Sequence, residues 1–317
     1  MKILFIAPGV MPIPPNGWGA VEMLIWDYIT ILKKNGYDVD FINTNNQQDI
    51  INKANSNYDI VHLHYDVYID ILDKINSKVK IASSHYPFIN RPSNYVNDGY
   101  DKIIHKIVNN KNFYIFASSN KDLETFVKFG ANQKNTFLSR LGVQIEPYDF
   151  QEKHTYDKTL CFSQIVDRKR QYLIQNIDNI DFFGRYDDHK FSNFKNYKGE
   201  IARDLLNKEI TKYSNFVLLS LEENTTPLVV KEALICGLGV VVSEQAGQEL
   251  DKDMDFISII KEEDIPNLDY VKNIIEKNKQ ISIHRRNEIR NYGINKFNLE
   301  NILLHEYIPK LESLYKQ

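Results

Sequence analysis

The sequence predicts an α/β protein of two similar halves, each built on a parallel sheet. Short β-branched and apolar runs alternate with helical patterns through the first 150 residues, and a second such series runs from TLCFS to DFISII. Strands separated by helical patterns of roughly 10 to 15 residues make βαβ units, so neighbouring strands run parallel. Between the two series lies QEKHTYDK, residues 151–158, which is polar, has no apolar period and is read as the interdomain linker. At 317 residues the chain also exceeds the size of about 250 to 300 residues at which a single core stops growing.

In order, KILFIA is the first buried strand, and VEMLIWDYITILKKNG follows it as a helical pattern. DVDFIN, DIVHLH, KIASSH and FYIFASS are the next β-rich runs, and DLETFVKFG is a helical one. The second series supplies TLCFS, IDFFG, NFVLLS, VVVSE and DFISII. Within NTTPLVVKEALICGLGVVVS, residues 224–243, Thr226 suits a helix cap, Pro227 the first helical position and Gly237 a left-handed stop. A helix from Pro227 to Cys236 is therefore expected, and Val240, Val241 and Val242 form the β-branched run of a central parallel strand. After about residue 262 the chain turns helical, and FNLENILLHEYIPKLESLYKQ reads as a long terminal helix broken near Pro309.

Composition narrows the function classes. The apolar fraction of 43% is that of a globular protein, and the formal charge of −3 falls entirely after residue 150. No basic face or stripe points to nucleic acid. Cys161 and Cys236, the only cysteines, both sit in apolar runs, so a disulfide framework is not expected and a reducing compartment is. MKILFIAPG has one Lys and too short an apolar run for a signal peptide, and no stretch reaches the roughly 18 to 20 apolar residues of a membrane span. A cytoplasmic protein is expected, with peripheral membrane contact left open.

Several stretches carry chemistry. The helix beginning at Pro227, backed by a buried strand, aims free N–H groups and the positive end of its dipole at one place, an arrangement that binds anions. Lys231 and Glu232 are the only charges in residues 224–243. Gly17-Trp18-Gly19 resembles part of a dinucleotide fingerprint, but the third glycine is absent and the turn lies about ten residues past the strand. Gly19 and Ala20 would still let a ligand approach the backbone. In DIVHLHYD the period of two puts His62 and His64 on one strand face, a metal-ligand spacing to which Asp66 could add a third donor. His85 stands at the carboxyl end of the next strand, where such sheets collect functional groups. Arg168, Lys169 and Arg170 form the densest basic cluster, suited to a phosphorylated ligand.

Taken together these stretches resemble the retaining glycosyltransferases of family 4, of GT-B architecture. The likeness rests on PPNGWGAVE, DIVHLH, SSHYPF, ASS at 117–119, LGV at 141–143, QIVDRK and, above all, SLEENTTPLVVKEALICGLGVVVS. It implies two Rossmann-like domains, residues 1–150 on the acceptor side and 151–296 on the donor side, facing a central cleft. Residues 297–317 would form a helix packing back on the first domain. It implies a UDP-sugar or GDP-sugar donor, a carbohydrate or lipid-linked acceptor, and no required metal or other cofactor.

Carried over residue by residue, the resemblance gives Glu232 the ribose hydroxyls, and Glu223 or its neighbour Glu222 the donor sugar. The amides of Thr226, Pro227, Leu228 and Val229 fall near sugar or diphosphate, with Pro227 contributing no N–H. Lys169 and Arg168 would neutralise the diphosphate, Gly19 and Ala20 would bring the first domain's backbone to it, and His85 would contact the sugar. Gly199, Glu200 and Ile201 fall at the base pocket, reached from Gly184. The family's Gly-Arg before the basic loop is Ser163-Gln164 here, so one diphosphate cation is absent and Arg168 is the substitute. Only about twenty residues separate Ser163 from Gly184, short of the 30 or more of a full βαβ unit. Competing readings are a GT-B sugar-nucleotide epimerase, a catalytically silent sugar-nucleotide or glycan binder, and, last, a metal hydrolase on His62, His64 and Asp66.

Overall fold

The computed structural model describes residues 1–17 and 19–317, so Trp18 of the Gly-Trp-Gly turn lies outside the described residues. The chain forms two compact units. One comprises Met1–Pro15, Gly19–Leu141 and Leu299–Gln317, and the other Gly142–Asn298 with Asn16 and Gly17.

The first unit holds six parallel strands: β1 (Lys2–Ala7), β2 (Asp38–Asn43), β3 (Ile60–Leu63), β4 (Val79–Ala82), β5 (Tyr114–Ala117) and β6 (Thr136–Leu138). Their spatial order is β2-β1-β3-β4-β5-β6. Helices α1 (Ala20–Lys34), α2 (Gln47–Ala54), α3 (Tyr95–Asp98), α4 (Tyr100–Asn109) and α5 (Asn120–Lys128) make the crossovers, except that a 3-10 segment at Asp66–Lys74 joins β3 to β4. Ile3 through Ala7 are wholly buried, as a strand covered on both faces must be, and this is why β1 reads as an unbroken apolar run. The strand β6 was not among those expected, because three residues are too few to display a period.

The second unit holds five parallel strands: β7 (Thr159–Phe162), β8 (Ile180–Phe183), β9 (Asn215–Leu218), β10 (Gly239–Ser243) and β11 (Ile257–Ile260), ordered β11-β10-β9-β7-β8. The crossover from β7 to β8 carries only a 3-10 turn at Asp167–Lys169 and the single-turn α6 (Gln171–Ile174), which accounts for its short length. Then come α7 (Arg203–Glu209), α8 (Leu228–Ile235), α9 (Leu268–His284) and α10 (Arg286–Phe297). Each sheet reverses its winding once, between β1 and β3 in the first and between β7 and β9 in the second. At such switch points the loops after two neighbouring strands diverge and leave a crevice at their carboxyl ends.

One expectation needs correction. The units divide at 141/142 and not in 151–158, because that stretch is tied into the second unit. Gln151 N donates to Thr211 Oγ1 (2.8 Å), Arg286 Nε donates to Gln151 O (2.9 Å), and the amides of Thr155 and Tyr156 both donate to Lys212 O (2.8 Å each). The terminal helix is interrupted near Pro309, as expected, at the turn just ahead of it. Its pieces are α11 (Leu299–Ile302), a π-helical turn Leu303–Tyr307 and α12 (Ile308–Lys316), with Pro309 in the first turn of the last piece, where its missing N–H costs nothing. No helix among the described residues is long and apolar enough to cross a membrane.

Candidate functional site

The second unit's site grows from its switch point. After β7 the chain turns through Ser163 and Gln164 into the basic triplet, and after β9 it runs through Leu219–Thr226 to α8. These loops are bonded to each other. Leu221 N donates to Arg168 O (2.8 Å), Arg168 Nη1 to Glu222 O (2.7 Å), and Arg170 to Leu219 O (2.7 Å) and Ser220 O (3.1 Å). Arg170 reaches those carbonyls from a left-handed backbone (φ 56°) and also meets Glu262, so the third cation of the triplet is structural.

Lys169 and Arg168 converge instead on one carboxylate. Glu223 accepts from Lys169 Nζ and pairs with Arg168 at 2.9 Å. Burial works against ionisation of Glu223, yet Lys169 and then Arg168 hold its carboxyl below the usual range. Burial lowers the Lys169 pKa, and Glu223 opposes that fall. Two cations against this one carboxylate leave an excess of positive charge in a part-buried place, which favours an anionic ligand.

The start of α8 lies on the same loop. Pro227 stands at the cap with an extended backbone (ψ 144°) and α8 begins at Leu228 with no side-chain cap, which corrects the expected roles of both Thr226 and Pro227. Thr226 is unavailable because its hydroxyl accepts from Glu249 N (3.0 Å). Val230 and Lys231 donate to Pro227 O, leaving the amides of the half-buried Leu228 and Val229 on the open turn. Gly237 does end the helix in left-handed geometry (φ 79°).

The two charges of α8 point to different partners. Lys231, wholly buried, meets Glu249 at 2.8 Å and lies over the Phe297 ring. Glu249 also accepts from Thr225 Oγ1 (2.7 Å), so Lys231 fastens the loop that carries Glu223. Glu232 accepts on Oε1 from Arg203, which also reaches Tyr148 Oη, while Glu232 Oε2 is buried with no partner. Tyr148 stays protonated, its pKa raised by burial and then by Glu232.

The remaining predicted residues of this unit are adjacent in the fold. Gly184, at the end of β8, has φ 138°, and a Cβ there would lie 1.9 Å from Ser163 O, so only glycine fits. Its amide donates to Gly199 O (3.0 Å), which places Gly199 and then Ile201, packed on the core, beside the β7 loop. Gln164 O accepts from Gln171 Nε2 (3.0 Å), and the same amide reaches Ser163 Oγ (2.8 Å).

In the first unit the switch point gathers histidines. His62 and His64 lie on one face with ring centroids 4.0 Å apart, and His64 stacks on His85 at 5.4 Å. His62 bonds Tyr307 Oη (2.8 Å) and Ser83 Oγ (2.9 Å), so both ring nitrogens are committed. That removes it as a metal ligand, and among the described residues no group of three or more His, Cys, Asp and Glu could hold a metal ion. Burial drives His62 down to about 3 and His85 to about 4, and burial likewise keeps His64 neutral. Burial raises the Asp66 pKa. Gly19 caps α1 with φ 125°, a conformation open to glycine, and Ala20 opens that helix.

Sequence reasoning missed Arg203, Tyr148, Glu249 and Tyr307. A buried carboxylate in an apolar helix demands a cation, so Glu232 did announce a partner, but nothing local says which one. Cys161 and Cys236 are both buried and unpaired, and burial pushes the Cys161 thiol up to about 12.

No protein-family model matches the sequence, and no curated protein does. Solved structures do match. HepE of Anabaena, in complex with UDP and glucose, superposes over 99% of this chain and 100% of its own at a TM-score of 0.75 and 13% identity. Sucrose-phosphate synthase from Thermosynechococcus elongatus covers 100% of both chains, with a TM-score of 0.76 and 12% identity. The fold is GT-B. AviGT4, a glycosyltransferase involved in avilamycin A biosynthesis, has the same GT-B fold at a TM-score of 0.70 and 11% identity, over 100% of this chain and 97% of its own. These neighbours are GT-B glycosyltransferases, and HepE has also been solved with UDP-glucose. At such identities the likeness is one of fold.

Proposed function

We propose that this GT-B protein is a retaining, metal-independent glycosyltransferase that moves a sugar from a nucleoside diphosphate sugar to a hydroxyl of a carbohydrate or lipid-linked acceptor. The observation that carries the reading is the part-buried Lys169–Arg168–Glu223 cluster, set beside the uncapped start of α8 at the second sheet's switch point. Breaking the anomeric C–O bond puts negative charge on the departing diphosphate and positive charge on the sugar. Lys169, Arg168 and the Leu228 and Val229 amides are fixed where they would stabilise that leaving group without rearranging. Glu223 supports the charge of Lys169, orients both cations and faces the sugar. Glu222, whose carbonyl holds Arg168, has a supporting place.

Glu232 takes the ribose through its unpartnered Oε2, while Arg203 holds Oε1. The turn Gly184–Gly199, with Ile201 behind it and Gln164 at its edge, takes the base. Gly19 and Ala20 take the diphosphate by their backbone, and His85 takes a sugar hydroxyl, as the family resemblance implies. The acceptor hydroxyl attacks the anomeric carbon on the face the diphosphate leaves, and its proton passes to a diphosphate oxygen. UDP is the first nucleotide to try, because HepE is bound to UDP and UDP-glucose.

Titration with UDP, GDP, ADP and their sugar conjugates, in the presence of a chelator, tests this. A ligand at one hundred times its dissociation constant adds about 2.7 kcal/mol of stability, readily seen as a shift in Tm. One nucleotide should stand out, and its sugar conjugate should turn over only with an acceptor. Acceptor-free turnover would favour the epimerase, and no response to any nucleotide would sink the reading.

A further inference from the structure

The histidine stack of the first unit contains a proton arrangement that can be solved from its hydrogen bonds. Ser83 Oγ donates its only hydrogen to Phe116 O (3.0 Å), so it must accept from His62 Nε2 (2.9 Å). His62, neutral in its burial, therefore carries its proton on Nε2 and accepts from Tyr307 Oη on Nδ1 (2.8 Å). Its tautomer is fixed by groups that lie far apart in sequence.

His64 is fixed in a different way. Its Nδ1 lies 3.1 Å from His85 Nε2, so one proton sits between two neutral rings. His64 Nε2 is buried, among the rings of Phe5, Tyr28 and His62, with no hydrogen-bond partner. A proton on Nε2 would orphan a buried N–H donor, whereas a bare lone pair there is the more tolerated vacancy. The proton of His64 accordingly resides on Nδ1 and is donated to His85 Nε2. His85 is half-buried at the end of β4 and, being neutral, must carry its own proton on Nδ1.

We propose that His64 is a positioning residue for the transfer reaction: by donating to His85 Nε2 it holds His85 as the Nδ1–H tautomer, a hydrogen-bond donor to a hydroxyl of the bound sugar. The sugar as ligand rests on the glycosyltransferase reading above; the tautomer does not. A donor of fixed direction would favour a sugar whose hydroxyl presents a lone pair at that point and would leave the nucleoside diphosphate untouched.

Long-range proton–nitrogen correlation spectra of the full chain with labelled histidine read the tautomers directly. Wild type should show His85 protonated on Nδ1 and His62 on Nε2. His64→Phe should release His85 into a tautomer mixture, lower kcat about tenfold with the sugar nucleotide, and leave affinity for the free nucleoside diphosphate within about twofold. His64→Asn, whose amide nitrogen falls near the place of Nδ1, should restore both the tautomer and most of the turnover. A wild-type spectrum with His85 protonated on Nε2 overturns the proposal without any variant. So does a His64→Phe protein whose His85 tautomer or kcat is unchanged. If wild type turns over no sugar nucleotide, the functional reading falls with the catalytic half of this proposal, while the spectra still decide whether His64 sets the tautomer of His85.

Discussion

The two units bury polar chemistry in opposite electrical states. The first packs His62, His64, His85, Ser83 and Tyr307 into a network that is neutral throughout, with proton positions set by hydrogen bonds. The second sets buried Glu223 against the part-buried Lys169 and Arg168, buried Glu232 against Arg203 and buried Lys231 against Glu249, all as ion pairs. Each set includes groups from loops at the carboxyl ends of parallel strands, so that placement alone does not explain the difference. The ligand chemistry of the proposed reaction would account for it. Sugar hydroxyls are neutral and directional and are met by donors of fixed direction, whereas a diphosphate is an anion and is met by charge.

The largest effect expected from this contrast is kinetic. Lys169→Ala should reduce kcat by roughly 100- to 1,000-fold, the loss typical of one fixed donor to developing negative charge. Its Tm should move by only a few degrees, because Arg168 still satisfies Glu223. Equal turnover in that variant would break the assignment of the charged unit to the diphosphate.

Acid should separate the units next. His62 has a folded pKa of about 3 against 6.5 for its ordinary value, so below pH 6.5 the unfolded chain takes up a proton that the native state refuses. Stability is full above pH 6.5 and falls on acidification, by about 2 kcal/mol for this residue alone between pH 6.5 and 5. His64 and His85 act in the same direction. Glu223 behaves differently: its folded pKa is depressed below 4.5, so its contribution persists to pH 5 and is lost only as pH falls below that. Denaturation at pH 7 and pH 5, followed by exchange of backbone amides, should show the first unit loosening first. Uniform loosening would contradict the contrast.

Glu232→Ala should weaken donor binding about tenfold, near the 1.4 kcal/mol of one charged hydrogen bond. Calorimetry on the sugar nucleotide reads this, and an unchanged Kd removes the ribose from Glu232. The smallest effect concerns Glu223→Gln. Without its anion the Lys169 pKa falls further under the burial that already lowers it, so the alkaline limb of the rate profile should move to lower pH, by less than about one unit while Arg168 remains. A shift to higher pH would mean that Glu223 does not govern Lys169.

Much of this was legible in the chain. The runs KILFIA, DIVHLH, TLCFS and VVVSE became strands because continuous β-branched burial has few other uses. The order of acidic loop, helix start, Glu232 and Gly237 also carried through, apart from one residue at the cap. Less was legible where partners are distant. The choice between Glu222 and Glu223 for the sugar could not be made from spacing, and what only the structure adds is that the Glu223 carboxylate pairs with Lys169 and Arg168 while Arg168 donates to the Glu222 carbonyl.

The sequence by itself determined the parallel α/β architecture, the carboxyl-end placement of His85 and the basic triplet, and the helix that presents Glu232. Those follow from periodicity, chain direction and helix-end chemistry, all local properties. Only the tertiary structure decided that Arg203 and Tyr148 hold Glu232, that Tyr307 and Ser83 fix His62 from 245 and 21 residues away, and that the units divide at 141/142. A buried charge or imidazole requires a partner, but its identity depends on which residues the fold brings within 3 Å, and no local pattern encodes that.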